Sequence, residues 1–217
     1  MSNDLSSQAR KTIDSLKQFC NTPNLNRMPV ESRQLWHRRL FRAIALADYF
    51  RFSESTIKDF KLALEEDEDP LSMWARGISY LSFARICLNI IRQFSEGALE
   101  SQEATDEIFD KLHQIRKDNR DWAKALIDCR ISLAAHPTDN DYAYYYGDKE
   151  VDPKSGVIKF KTFIDINNIK RTLDKPVEFA PNDIHEKLCQ YIVGIVPIWL
   201  ECWGAKHTEE TLSTHKV

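Results

Sequence analysis

Helix breakers are spread unevenly along this chain, and their placement limits the fold more than any other feature. Residues 1–136 hold three prolines, Pro23, Pro29 and Pro70, whereas residues 137–217 hold five. Proline lacks a backbone donor and clashes with the preceding turn, so the first part is open to long helices and the second must be more broken. Glycine is also scarce, with 6 in 217 residues against an average usage of about 7%.

Apolar residues recur at helical spacing through the first part. Leu5, Ala9, Ile13, Leu16 and Cys20 mark one stripe, ended by Asn21-Thr22-Pro23. Trp36, Leu40, Ile44, Ala47 and Phe50 mark a second. A short third segment from Ser55 to Leu64 runs into the acidic turn Glu65-Glu66-Asp67-Glu68-Asp69-Pro70. The fourth stripe is the most regular: Leu71, Trp74, Ile78, Leu81, Ala84, Leu88, Ile91 and Phe94, closing near Gly97. A fifth runs through Ile108, Leu112, Ile115, Trp122, Leu126, Cys129 and Leu133. It is one long helix, or two with a break at Asp118-Asn119.

Past Pro137 the pattern changes. Asp139-Asn140-Asp141 is a turn cluster. Residues 142–146 and 157–166 are rich in β-branched and aromatic side chains and flank the turn-rich DKEVDPKSG, so a small β-hairpin is expected. Asn182 or Asp183 then caps a last helix through Leu188, Ile192 and Ile195, with a kink expected at Pro197. The tail at 207–217 is polar and expected to fray. The expected fold is mainly α: one domain over 1–217, an up-and-down helical bundle with a β/loop excursion at 138–180 before the last helix.

Composition narrows the function classes. Lys plus Arg is 30 and Asp plus Glu is 33, a formal charge of -3. Binding nucleic acid by bulk charge is excluded, and a local basic patch is not. The cysteines, Cys20, Cys87, Cys129, Cys189 and Cys202, form no CxxC pair and read as buried, reduced thiols. The N-terminus has no apolar signal core. The longest apolar stretch, Leu188 to Trp203, is interrupted by Gln190, Pro197 and Glu201 and is too short to span a bilayer comfortably. A cytoplasmic protein without a membrane partner is expected. Phosphate-cradling glycine loops, HExxH and GxSxG are absent, and His37, His113, His185, His207 and His215 lack metal-ligand spacing. No metal and no cofactor are expected.

Three features rise above this background. In RQLWHRRLFR, Arg38 and Arg42 are four apart on one helix face with Arg39 adjacent, while Trp36 and Leu40 point toward a core. This is a phosphate-binding stripe, or a solvated face that pairs with acidic segments such as 65–69. Tyr142, Tyr144, Tyr145 and Tyr146, close to several lysines, offer stacking faces to single-stranded RNA, or form a half-buried strand.

The third feature is ALIDCRISLAAHP, residues 125–137. Pro137 ends the helix at His136, near carbonyls that favour an imidazolium. Arg130 lies six residues earlier, about 600° of helical rotation away. The two converge through a frayed helix end and a long Arg stem, or each meets a partner from another chain. A permanent cation and a group titrating near neutrality suit phosphate chemistry. Asp128 and Ser132 are the nearby polar groups that could support the pair. The bland alternative is an Arg stem packed on the bundle and an imidazole capping carbonyls.

This segment resembles the HEPN family, helical bundles with an Arg, four to six residues and then a His, often in the setting Ala-His-Pro seen here at Ala135-His136-Pro137. The resemblance implies metal-independent RNA cleavage. The ribose 2'-hydroxyl attacks the adjacent phosphate, with His136 as acid/base and Arg130 stabilising the charged transition state. It also implies a homodimer with both motif copies in one cleft, RNA as partner, and a role as toxin or phage-defence effector with an antitoxin or regulatory protein. The alternative within the same family is a non-catalytic module that dimerises or binds a partner or nucleic acid.

Overall fold

The computed structural model describes residues 2–23, 28–100, 105–128, 144–145, 150–164 and 170–213. The fold is mainly α. Among these residues the order is α1 (Ser2–Asn21), α2 (Val30–Glu65), α3 (Pro70–Glu100), α4 (Asp106–Asp118), α5 (Arg120–Asp128), β1 (Tyr144–Tyr145), β2 (Glu150–Val151), β3 (Ile158–Ile164), β4 (Lys170–Phe179) and α6 (Pro181–Ser213). No helix among the described residues is long and apolar enough to cross a membrane.

The chain divides into two compact units. The first comprises Met1–Phe50, Cys87–Asp121 and Glu186–Val217. Its described part is helical. Lys111 of α4 bonds Glu201 of α6, and four residues further along α4 the side chain of Ile115 lies against Gly194, so the two helices run antiparallel. A Cβ added at Gly194 would sit 2.6 Å from Ile115 Cδ1. The core is aromatic: Phe94 lies 4.9 Å from Trp199 and 5.8 Å from Trp203, ring centre to ring centre. Four of the five cysteines, Cys20, Cys87, Cys189 and Cys202, are free and buried here, as expected, and Cys129 lies outside the described residues.

The second unit comprises Arg51–Ile86 and Trp122–His185. In it α2 and α3 run antiparallel: Phe52 packs on Phe83 with centroids 5.4 Å apart, and Arg76 Nη1 donates to the Asp59 carbonyl at 3.3 Å. Asp69 starts α3 by accepting from the Leu71 and Ser72 amides at 2.9 and 3.1 Å. Glu68 bonds Ser72 and, at 2.8 Å, Arg76. Within the acidic turn, Glu68 and Asp69 therefore have local work: one carboxylate caps, the other braces.

The sheet belongs to this unit. β3 pairs antiparallel with β4, and its other edge takes β2 at Val151↔Ile158 and β1 at Tyr144↔Ile164. The expected hairpin is present in the β1–β3 pairing. β4 was not foreseen, because Pro176 and its charged neighbours weaken the strand signal. Register pairs run through Phe160↔Val177 and Thr162↔Thr172, with the shift between them, so Pro176 falls in the irregular stretch. Proline is tolerated where no ladder amide is needed. The turn before β3 has Gly156 at φ +67, and a Cβ there would meet Leu64 Cδ1 at 2.8 Å and Phe60 at 3.2 Å. Glycine alone meets both demands without strain.

Several sequence expectations are corrected. α2 is one helix of 36 residues, not separate segments at 36–50 and 55–64, because no Gly or Pro interrupts it and Ser53 and Glu54 lie buried in its middle. Its core stripe is Trp36, Arg39, Ala43, Leu46, Ala47 and Phe50, whereas Ile44 is 39% exposed. α3 continues past Gly97 to Glu100, and Leu71 at its start is exposed. The fifth stripe takes the second of its two expected forms, two helices broken at Asp118-Asn119; Asn119 is the C-cap of α4, its side-chain amide donating to the Ile115 carbonyl at 2.9 Å. α6 begins at Pro181, whose fixed φ suits the first helical position.

Candidate functional site

The sequence nominated Arg130 and His136, with Asp128 and Ser132 in support. Arg130, Ser132 and His136 lie outside the described residues, as does Tyr146. Asp128 is the last residue of α5. The stripe leading to it holds as expected at Leu126, which is fully buried. Tyr144 lies in β1 opposite Ile164.

The basic stripe is described in full, and it separates. Arg38 is exposed on α2. Arg42 donates from Nη1 to the Gln93 carbonyl at 3.2 Å, tying α2 to the C-terminal part of α3. Arg39 turns inward and is 4% exposed. Its guanidinium carbon lies 5.0 Å from the Trp36 ring centre and 4.4 Å from that of Trp203. A guanidinium stacks on indole faces and is more weakly hydrated than an ammonium, so it can be buried between aromatic rings. Arg39 therefore serves the core, while Arg38 and Arg42 keep the outward side. The signal was present in the sequence: Trp36, Arg39, Ala43 and Leu46 continue one helical stripe once a polar residue is allowed in it.

Arg39 also acts on Cys20. Burial pushes that thiol up to about 12, and the nearby guanidinium opposes the rise. A thiol in that state is neutral and poorly nucleophilic at neutral pH.

A second polar cluster lies in the other unit and was missed. Glu54 of α2, Tyr80 of α3 and His185 of α6 are 5%, 0% and 6% exposed. The Tyr80 and His185 rings meet edge to face at 5.7 Å. Burial and, after it, the Lys61 charge lower the His185 pKa from 6.5 to about 4, against an opposing pull from Glu54. The imidazole is neutral at physiological pH. These residues stand far apart in sequence, so no local motif announces them. The cluster is a buried polar core between three helices, and its burial suits structure more than turnover.

In the first unit, His37 is exposed, and His113 is exposed and lies parallel to Phe109 at 6.4 Å. Among the described residues no three His, Cys, Asp or Glu side chains gather as metal ligands. Comparison with protein-family models, curated proteins and solved structures returns no match.

Proposed function

We propose that this chain is a HEPN-like, metal-independent endoribonuclease acting as a homodimer, with Arg130 and His136 as its chemical pair. The observation that carries the reading is the sequence Arg130 to Pro137, with five residues between Arg and His, following closely on α5 in a mainly α chain. The ribose 2'-oxygen attacks the adjacent phosphorus and gives its proton to a base. The bond to the 5'-oxygen breaks, and that oxygen takes a proton. The products are a 2',3'-cyclic phosphate and a 5'-hydroxyl. An imidazole can serve at both proton transfers, and a guanidinium offsets the charge gathering on the phosphoryl oxygens. Asp128 and Ser132 support the pair, and Arg38, Arg42, Tyr144 and Tyr146 contact the RNA. Arg39 is left out of the RNA contacts because it is buried against tryptophan.

The test is cleavage of total RNA by His136→Ala. Activity disappears while helical circular dichroism and assembly mass are retained, and wild-type activity survives EDTA. Equal cleavage by the variant removes His136 from the mechanism, and loss of wild-type activity on chelation removes the metal-independent route. In a cell, the toxin reading predicts that overexpression slows growth in an Arg130-dependent manner.

One observation favours a second reading. The residue after Arg130 is the apolar Ile131, where family members often carry Asn or Asp. A non-catalytic module that dimerises or binds a partner would tolerate it. Such a module binds RNA or protein but leaves RNA intact at every enzyme concentration.

A further inference from the structure

The outward side of α2 carries an uncovered seam. His37, Phe41, Ile44 and Asp48 follow one another at steps of four, three and four. With 3.6 residues per turn they fall within about 60° of arc. Phe41 is 70% exposed and Ile44 39%, and His37 and Asp48 are exposed as well. The opposite side of the same stretch holds Trp36, Arg39, Ala43, Leu46 and Phe50 in the core. This part of the helix thus has an apolar strip on each of two faces, and the fold covers one. A Phe–Ile strip left open to water is a mark of an interaction surface.

The spacing and the end charges of the seam together fit a second copy of this chain. Steps of four, three and four read the same in either direction. Two copies of the helix, packed antiparallel about a two-fold axis between Phe41 and Ile44, bring each Phe41 against Ile44 of the second copy. The same operation sets each His37 opposite Asp48 of the second copy, an imidazole facing a carboxylate at both ends of the apolar pair. Parallel packing would instead set Asp48 on Asp48 and His37 on His37, with no opposite charge gained. We propose that His37, Phe41, Ile44 and Asp48 form the centre of an antiparallel α2–α2 contact between two copies of this chain.

This contact gives a surface to the homodimer proposed above and rests on the two-copy part of that reading alone. Light scattering and sedimentation velocity over a concentration series test it. The wild-type protein has about twice the 25.3 kDa mass of the chain. Phe41→Glu is monomeric with an unchanged helical spectrum, because the ring it removes lies mostly in water. Phe109→Glu, at a position 48% exposed on α4, stays dimeric. Asp48→Arg weakens the dimer, and His37→Asp combined with Asp48→Arg restores it.

A wild-type chain that is monomeric throughout overturns the contact. So does a Phe41→Glu protein that keeps the dimer mass, or a double variant as dissociated as Asp48→Arg alone. The nuclease proposal is judged separately: a dimer broken by Phe41→Glu in a protein that cuts no RNA upholds the seam and ends the cleavage mechanism.

Discussion

Arg39 and Trp203 hold each other between α2 and α6, guanidinium carbon to indole centre 4.4 Å, with both side chains buried. A cation in this position is part of the core. Arg39→Ala should cost about 2–4 kcal/mol, from lost stem packing and a desolvated cation–π contact. Arg38→Ala, one residue away and exposed, should stay within about 0.5 kcal/mol of wild type. Urea unfolding of the two variants separates them, and equal midpoints would refute the burial of Arg39.

His185 makes stability depend on acid. Its pKa falls from the ordinary 6.5 to about 4 in the folded chain. The unfolded chain therefore takes up the proton first. The stability His185 contributes is complete above pH 6.5 and drains away as pH falls toward about 4. The loss amounts to ~3 kcal/mol at one unit per 1.36 kcal/mol. His185→Leu removes this share of the acid dependence, measured as the difference between the two unfolding curves from pH 7 to pH 4. Parallel curves would mean that the imidazole is not held neutral.

The buried thiols should be chemically silent. Burial pushes Cys20 up to about 12 and raises Cys87 further. A small aromatic disulfide reagent should leave Cys20, Cys87, Cys189 and Cys202 unreacted in the native protein and titrate them in denaturant. Rapid native labelling of any of the four, mapped by mass spectrometry, contradicts their placement.

Gly77 allows α3 to approach the sheet. A Cβ there would collide with Ile158 Cδ1 of β3 and sit 3.0 Å from the Phe60 ring. Ile158 is fully buried and cannot swing into solvent. Gly77→Val should lower stability by about 1–3 kcal/mol through overpacking. This outweighs the better helix propensity, a matter of tenths of a kcal/mol. A thermal midpoint at or above wild type would show that the contact is looser than described.

The sequence foretold some of this better than the rest, for physical reasons. The Ile78 to Phe94 stripe of α3 was legible because apolar residues at helical steps coincide with its buried face. α2 was legible as helix but not in phase: Arg39 was read as surface because charge outweighs periodicity in a simple count. The joining of its two segments depended on Ser53 and Glu54 being buried, which no local rule gives. β4 was hidden by Pro176, whose strand role depends on a register shift fixed by its neighbour. The Glu54, Tyr80 and His185 cluster needs three helices assembled before it exists. Arg130 and His136 stood out through spacing alone, and they lie beyond the described residues.

One consequence of the sheet concerns how the protein fares when crowded. β3, its apolar strand, has hydrogen-bonded neighbours on both sides, and the described pairing of the sheet ends at β4. That border strand carries Lys170, Arg171, Asp174, Lys175 and Pro176. Fixed charges and a missing amide make a poor template for another molecule's strand. The residues that disguise β4 as a loop are thus the ones that discourage it from recruiting a stranger into a growing fibril.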